Sequence, residues 1–262
     1  MSNNVRKLII VSNRVPYNFT KTEKGLTYKR SIGGLVTALD PIMSLRGGTW
    51  IGWSGFLKKH KIIEDKVRLE INKSANYEIK FVNLSENDIN LFYHGFSNRT
   101  LWPLFHGFIF QTYYNYEYWV GYQNASIKYA KAVIEELDKD DLIWIHDYHL
   151  LLIPDLLRSK NKDLNIIFFL HIPFPNYEIL RTLPWHKEIL KGMLGCDLLG
   201  FQTRNDSNNF LTACKRLLNL EVDFKDSTLI FNNRKVSANY FPISIDYRGF
   251  EAISKSTTTK KC

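Results

Sequence analysis

Leu142-Ile143-Trp144-Ile145, followed at once by His146-Asp147-Tyr148-His149, opens the stretch that decides the fold. Ile166-Ile167-Phe168-Phe169-Leu170 and Leu198-Leu199-Gly200-Phe201 complete it. Each is a short apolar run rich in β-branched and aromatic residues, the pattern of a strand buried on both faces. Helical stretches separate and follow them: His149 to Arg158, Glu178 to Met193, and Asn205 to Leu218 with Leu211, Cys214 and Leu218 on one face. Strands alternating with helices imply parallel βαβ units. The expected fold is therefore α/β, a doubly wound, mostly parallel sheet with helices on both faces.

Outward from this stretch the signals weaken. Lys7 to Ser12 reads as a buried strand that breaks at Asn13-Arg14, and Leu35 to Arg46 as a helix after Gly33-Gly34, kinked at Pro41. Val67 to Ile71 and Tyr77 to Leu84 read as strands. Ser85-Glu86-Asn87-Asp88 has capping-box spacing and opens a helix towards Tyr93, and Tyr116 to Leu137 reads as a long helix. Ser254 to Cys262 is polar and Thr/Lys-rich, a frayed tail.

The composition narrows the function classes. In 262 residues, hydrophobic residues make up 45% and aromatic ones 14%, which excludes intrinsic disorder. No apolar run reaches the roughly 18 residues of a membrane span. Three unclustered cysteines, Cys196, Cys214 and Cys262, argue against a disulfide framework and a zinc site. A soluble cytoplasmic protein is expected. The net charge of +9 fits nucleic acid, an anionic surface or phosphorylated small molecules, but the basic residues form no stripe and no nucleic-acid motif is present.

In an open parallel sheet, ligands bind beyond the carboxyl ends of the strands. Those ends carry Asn13-Arg14, His146-Asp147-Tyr148-His149, His171-Ile172-Pro173-Phe174-Pro175 and Gln202-Thr203. Four strand ends thus deliver polar or ionisable groups to one rim. Arg14 suits bidentate phosphate capture. Gly33-Gly34 before a helix lets a ligand approach its positive end, although neither a G-x-G-x-x-G nor a P-loop is present. His146, Asp147, His149 and His171 invite a metal reading. Against it, 146 and 149 straddle a strand-to-helix junction and no second carboxylate completes a set. Hydrogen-bond recognition of a polyhydroxylated ligand, with Asp147 accepting from hydroxyls, is the better reading. Trp50, Trp53, Tyr93 and Trp102 offer aromatic faces for a sugar ring, as well as ordinary core material.

Taken in order, Ser12-Asn13-Arg14, Ser31-Ile32-Gly33-Gly34-Leu35, Gly52-Trp53-Ser54-Gly55, Tyr93 with Phe96-Ser97-Asn98, and Leu101-Trp102-Pro103-Leu104-Phe105-His106 form a recognisable series. Trp144 to Leu150, Leu170 to Pro175, Asp197 to Thr203 and Pro242-Ile243-Ser244-Ile245-Asp246 continue it. The series resembles the N-terminal half of the trehalose-6-phosphate synthases, retaining glycosyltransferases of two Rossmann-like domains (the GT-B arrangement). The resemblance implies transfer of glucose from UDP-glucose to glucose 6-phosphate, giving α,α-trehalose 6-phosphate and UDP, with no metal and no cofactor. It implies glucose-6-phosphate contacts at Arg14, Tyr93, Asp147 and Trp102, donor contacts at Gly33, Gly34 and His171, and catalytic roles for His171 and Asp147. Residues 1–246 would form the acceptor-binding domain. Residues 247–262 would start the crossing to a C-terminal nucleotide-binding domain that carries the Arg/Lys pair neutralising the diphosphate. On that reading this chain alone is nearly inactive. A non-catalytic regulatory subunit that senses sugar phosphate is the alternative, and a homo-oligomer or the subunits of a synthase complex are possible partners. Ser126 stands where family members tend to carry Asn, a departure read as structural.

Overall fold

A computed structural model of the chain describes residues 6–22, 25–56, 61–244, 251 and 254–255. Asp246 and most of the 247–262 tail lie outside the described residues. Nine strands form one sheet: β1 (Leu8–Arg14), β4 (Thr49–Trp53), β5 (Glu78–Phe81), β6 (Leu142–His146), β7 (Asn165–Phe169), β8 (Leu198–Phe201), β9 (Val222–Asp223), β10 (Thr228–Phe231) and β11 (Arg234–Tyr240). Their order is β5-β4-β1-β6-β7-β8-β11-β10-β9, parallel from β5 to β11 and antiparallel beyond. A separate hairpin of β2 (Tyr17–Thr22) and β3 (Gly25–Arg30) projects after β1. The α/β, mostly parallel reading holds.

Strand β1 shows why the sheet is covered on both sides. Ile9 and Val11 enter one core, packed under α5 (Tyr116–Ile134), α6 (Ile153–Arg158), α8 (His186–Met193) and α9 (Arg204–Leu217). Leu8 and Ile10 face the other way, into a second core with α1 (Gly34–Arg46) and α2 (Lys61–Ser74). Alternate side chains of a strand point to opposite faces, so an unbroken apolar run serves both cores.

Several sequence readings change. The strand expected to break at Asn13-Arg14 runs through to Arg14, with a register irregularity between Val11 and Arg14. Val67 to Ile71 is helical, inside α2, not a strand. Val67, Leu69 and Ile71 alternate as a strand would, but Val67 and Ile71 also stand four apart. Those two are buried on one helical face, while Leu69 is 55% exposed. The helix opened at Ser85 runs much further than Tyr93. Ser85 and Asp88 form the reciprocal capping box over α3 (Glu86–Asp88). A π-helix, Ile89–Leu101, and α4 (Trp102–Phe105) continue without a break. The hairpin and the β9–β11 edge escape the sequence reading, although Tyr17/Phe19 and Val236/Ala238 alternate with polar residues as strand residues do.

The buried Ser126 hydroxyl donates to the Tyr122 carbonyl at 2.8 Å, one helical turn back. It satisfies itself within α5, in keeping with a structural part.

Candidate functional site

The strand order reverses between β1 and β6, since the chain builds outward to β4 and β5 on one side and to β7 and β8 on the other. Side chains beyond β1 and β6 therefore stand at the switch point of the sheet, where neighbouring connections diverge and leave a crevice. A cavity of about 310 Å³ opens there, lined by Asn13, Arg14, Asn18, Ser31, Leu35, Val36, His146, Asp147 and His149 among others.

The end of β1 is tied down from three sides. Trp50 donates from Nε1 to Ser12 Oγ at 2.8 Å, and the Ser12 hydroxyl donates to the Arg14 carbonyl at 2.7 Å. The Tyr129 hydroxyl, from α5, donates to the Asn13 carbonyl at 2.6 Å. The Arg14 guanidinium then lies 5.1 Å above the centre of the Trp53 ring and reaches the Ser54 carbonyl at 3.5 Å. A Cβ on Gly55, whose φ is +96°, would collide with that guanidinium, 2.8 Å from Cζ. Gly52-Trp53-Ser54-Gly55 is the seat of Arg14.

Asp147 follows β6 with φ of +75°, unusual for a residue with a side chain. Its carboxylate holds that turn by accepting from the Tyr148 backbone N–H at 3.0 Å and the His171 N–H at 3.3 Å. Burial raises its pKa to about 6; those two N–H groups and the nearby His106 pull the other way. At neutral pH it is an ionised acceptor on the cavity wall.

His149 is turned into the core. Its ring lies 3.9 Å from that of Tyr148 and stacks on Tyr93 at 5.7 Å and 14°. Both ring nitrogens are buried without a hydrogen-bond partner among the described residues, and burial lowers its pKa to about 3. Asn13 Oδ1 and His146 Nε2 are also unpartnered there. Buried polar groups are nearly always paired, so three such residues lining one cavity mark a place built for something other than the fold.

The structure brings Arg14 and Asp147 directly to the cavity, and His171 joins them through Asp147. Tyr93 sits on the π-helix between Trp53, 6.4 Å away, and His149. Gly33 caps α1 with no side-chain hydrogen bond, leaving the N–H groups of Gly34, Leu35 and Val36 without helical partners beside the cavity. A Cβ on Gly34 would meet nothing within 4 Å, so the chain's own packing does not demand glycine there. Trp102 is more remote: 40% exposed, it packs on His106 at 4.2 Å and on Phe108. His106 lies near enough to act on the Asp147 carboxylate, which places Trp102 at the outer edge of the cluster. Trp50 is simply core, as its complete burial shows. Of the lining residues, Ser31 entered the sequence reading only within the Ser31–Leu35 series, and Asn18, on β2, carries no sequence signal.

The sequence profile of glycosyltransferase family 20 matches residues 6–262. The chain belongs to this family. Among the similar family 20 proteins, a trehalose-6-phosphate synthase of Mycobacterium ulcerans (strain Agy99) is 35% identical over 97% of this chain and 51% of its own length. An α,α-trehalose-phosphate synthase [UDP-forming] of Schizosaccharomyces pombe (strain 972 / ATCC 24843) is 39% identical over 99% and 50%. A crystal structure of the UDP-forming synthase from Burkholderia xenovorans, in complex with glucose-6-phosphate, superposes with a TM-score of 0.78 at 28% identity. It covers 97% of this chain and 54% of that one. The chain spans about half the length of these family 20 relatives.

Proposed function

We propose that the cavity at the β1/β6 switch point binds glucose 6-phosphate, as the acceptor half of a synthase that transfers glucose from UDP-glucose to make α,α-trehalose 6-phosphate. The observation that carries this is the convergence of a seated cation, Arg14, and a buried carboxylate, Asp147, on one cavity edged by unpartnered polar groups. A sugar phosphate needs both: a planar guanidinium for the phosphate, and an ionised acceptor for ring hydroxyls.

In this reading Arg14 and the Tyr93 hydroxyl hold the phosphate, Asp147 the sugar, and Trp102 the outer wall. The open face at Gly33-Gly34 admits the donor to the positive end of α1, and His171 meets the donor sugar. Among the described residues Asp147 is the sole carboxylate lining the cavity, and two backbone N–H groups occupy one of its oxygens. It serves to position the acceptor rather than to attack. Retention then rests on the leaving diphosphate taking the proton of the incoming hydroxyl on the same face. The protein contributes orientation and charge stabilisation. In this reading the diphosphate-neutralising Arg/Lys pair and most nucleotide contacts come from a C-terminal half, and the whole enzyme works in the cytoplasm.

Calorimetric titration of the 262-residue chain tests the reading. Glucose 6-phosphate is expected to bind more tightly than glucose, while the same chain with UDP-glucose and glucose 6-phosphate releases little UDP. Equal affinity for the two sugars would remove the role of Arg14, and robust turnover would remove the need for a second half.

A further inference from the structure

Parallel pairing of β6 with β7 sets His146 opposite Phe169 and brings the His171 ring against it. His146 Nδ1 lies 3.1 Å from His171 Nε2. A contact this short between two ring nitrogens needs one donor and one acceptor. Both rings are neutral at physiological pH, because burial lowers His171 to about 4 and His146 well below its ordinary value. Each ring therefore carries one proton, and only two arrangements are open.

In the first, His171 donates from Nε2, and His146 must carry its own proton on Nε2. That atom is buried with no hydrogen-bond partner among the described residues. The Trp144 ring, 4.8 Å away, offers only another N–H, itself buried and unpartnered. In the second, His146 donates from Nδ1, and its buried Nε2 keeps only an unused lone pair. His171 accepts at Nε2, so its proton resides on Nδ1. An orphaned buried N–H is rarer than an under-used acceptor.

We propose that His146 is a positioning residue that fixes His171 as its Nδ1–H tautomer, giving the rim a hydrogen-bond donor where an unguided imidazole would offer an acceptor. No hydrogen bond from His171 Nδ1 to another described residue is formed, so the donor is left for a ligand oxygen. That last role rests on the sugar-nucleotide reading of the site; the tautomer does not. The backbone N–H of His171, held by Asp147, fixes the loop from which the ring projects.

Long-range proton–nitrogen spectra of the ¹⁵N-histidine-labelled chain at pH 7.5 read the tautomer of each ring directly, with His171→Gln assigning the signals. His171 and His146 are both expected to show a protonated Nδ1 and an unprotonated Nε2. His171 protonated at Nε2 overturns the proposal. In His146→Phe, the Nδ1–H signature of His171 should be lost, whereas His146→Gln, whose amide can still donate, should keep it. An unchanged His171 in a folded His146→Phe shows that His146 does not set it. The wild-type spectrum decides the tautomer even if that variant fails to fold. Titration with UDP-glucose and glucose 6-phosphate separates the two claims: the expected tautomer with no perturbation of His171 sinks the ligand reading alone.

Discussion

The two ends of the sheet treat polar groups in opposite ways. At the amino ends of β7, β8 and β11, Asp197 accepts from both Arg158 and Arg234 and from the Ile166 backbone N–H. Arg158 and Arg234 spend their remaining donors on the carbonyls of Gly195, Lys162, Leu164, Cys196 and Leu194. At the carboxyl ends of β1 and β6, Asn13, His146 and His149 keep buried polar atoms with no described partner, and Arg14 rests on a ring face and one long contact. A closed network contributes to stability. An open one costs stability and is retained for a ligand. The difference separates an arginine that holds the fold from one that holds a substrate.

Exchanging the two arginines for alanine should break the symmetry cleanly. Arg14→Ala is expected to weaken glucose 6-phosphate by about 100-fold, near 2.7 kcal/mol, by calorimetry. Its unfolding midpoint in urea should stay where it is. Arg158→Ala is expected to cost about 2 kcal/mol in stability, because it removes one of the Asp197 carboxylate's donors and the side-chain donor of three carbonyls, and to leave binding intact. If both variants lose binding and stability together, the division between the two ends is wrong.

Acid sharpens the same contrast. Unfolded, His149 takes a proton near pH 6.5; folded, it resists to about 3. Its contribution is thus present at neutral pH and is lost as the pH falls below that ordinary value, by about 2 kcal/mol at pH 5. Asp147 runs the other way. With its folded pKa raised to about 6, it takes up its proton earlier than the unfolded chain does and offsets part of that loss between about pH 6 and 4. Urea unfolding at pH 7.5 and pH 5 should show His149→Phe less acid-sensitive than wild type, and Asp147→Asn more so.

Much of this was legible in the chain itself. The apolar runs at Leu142, Ile166 and Leu198 are long and bounded, so they placed the sheet, and the rule of strand ends then placed Arg14, Asp147 and His171. What stayed hidden depends on contacts distant in sequence. Val67-Arg68-Leu69-Glu70-Ile71 satisfies two periods at once, and only the core under Val67 and Ile71 chooses the helix. Trp53 and Gly55 act through Arg14, some forty residues earlier. His149 and His146 look alike as letters. Their burial, and the ring nitrogens left unpartnered among the described residues, arise only when β6 lies between β1 and β7.

The smallest effect expected belongs to Gly55. Replacing it with alanine places a methyl group against the Arg14 guanidinium and forces a left-handed φ on a residue with a side chain. The backbone cost is about 1 kcal/mol. The collision itself is cheap, because the guanidinium is the free end of a long side chain and can swing off the Trp53 face. Swinging off is the consequence that matters, since it surrenders the cation–π contact and the orientation together. Glucose 6-phosphate affinity should fall by about tenfold, well short of the loss in Arg14→Ala, because the charge remains. In the double variant, Arg14→Ala with Gly55→Ala, the second change should cost no further affinity while its stability cost persists. A full tenfold loss on the Arg14→Ala background would show that Gly55 touches the ligand itself, and that the arginine's seat extends into the cavity it serves.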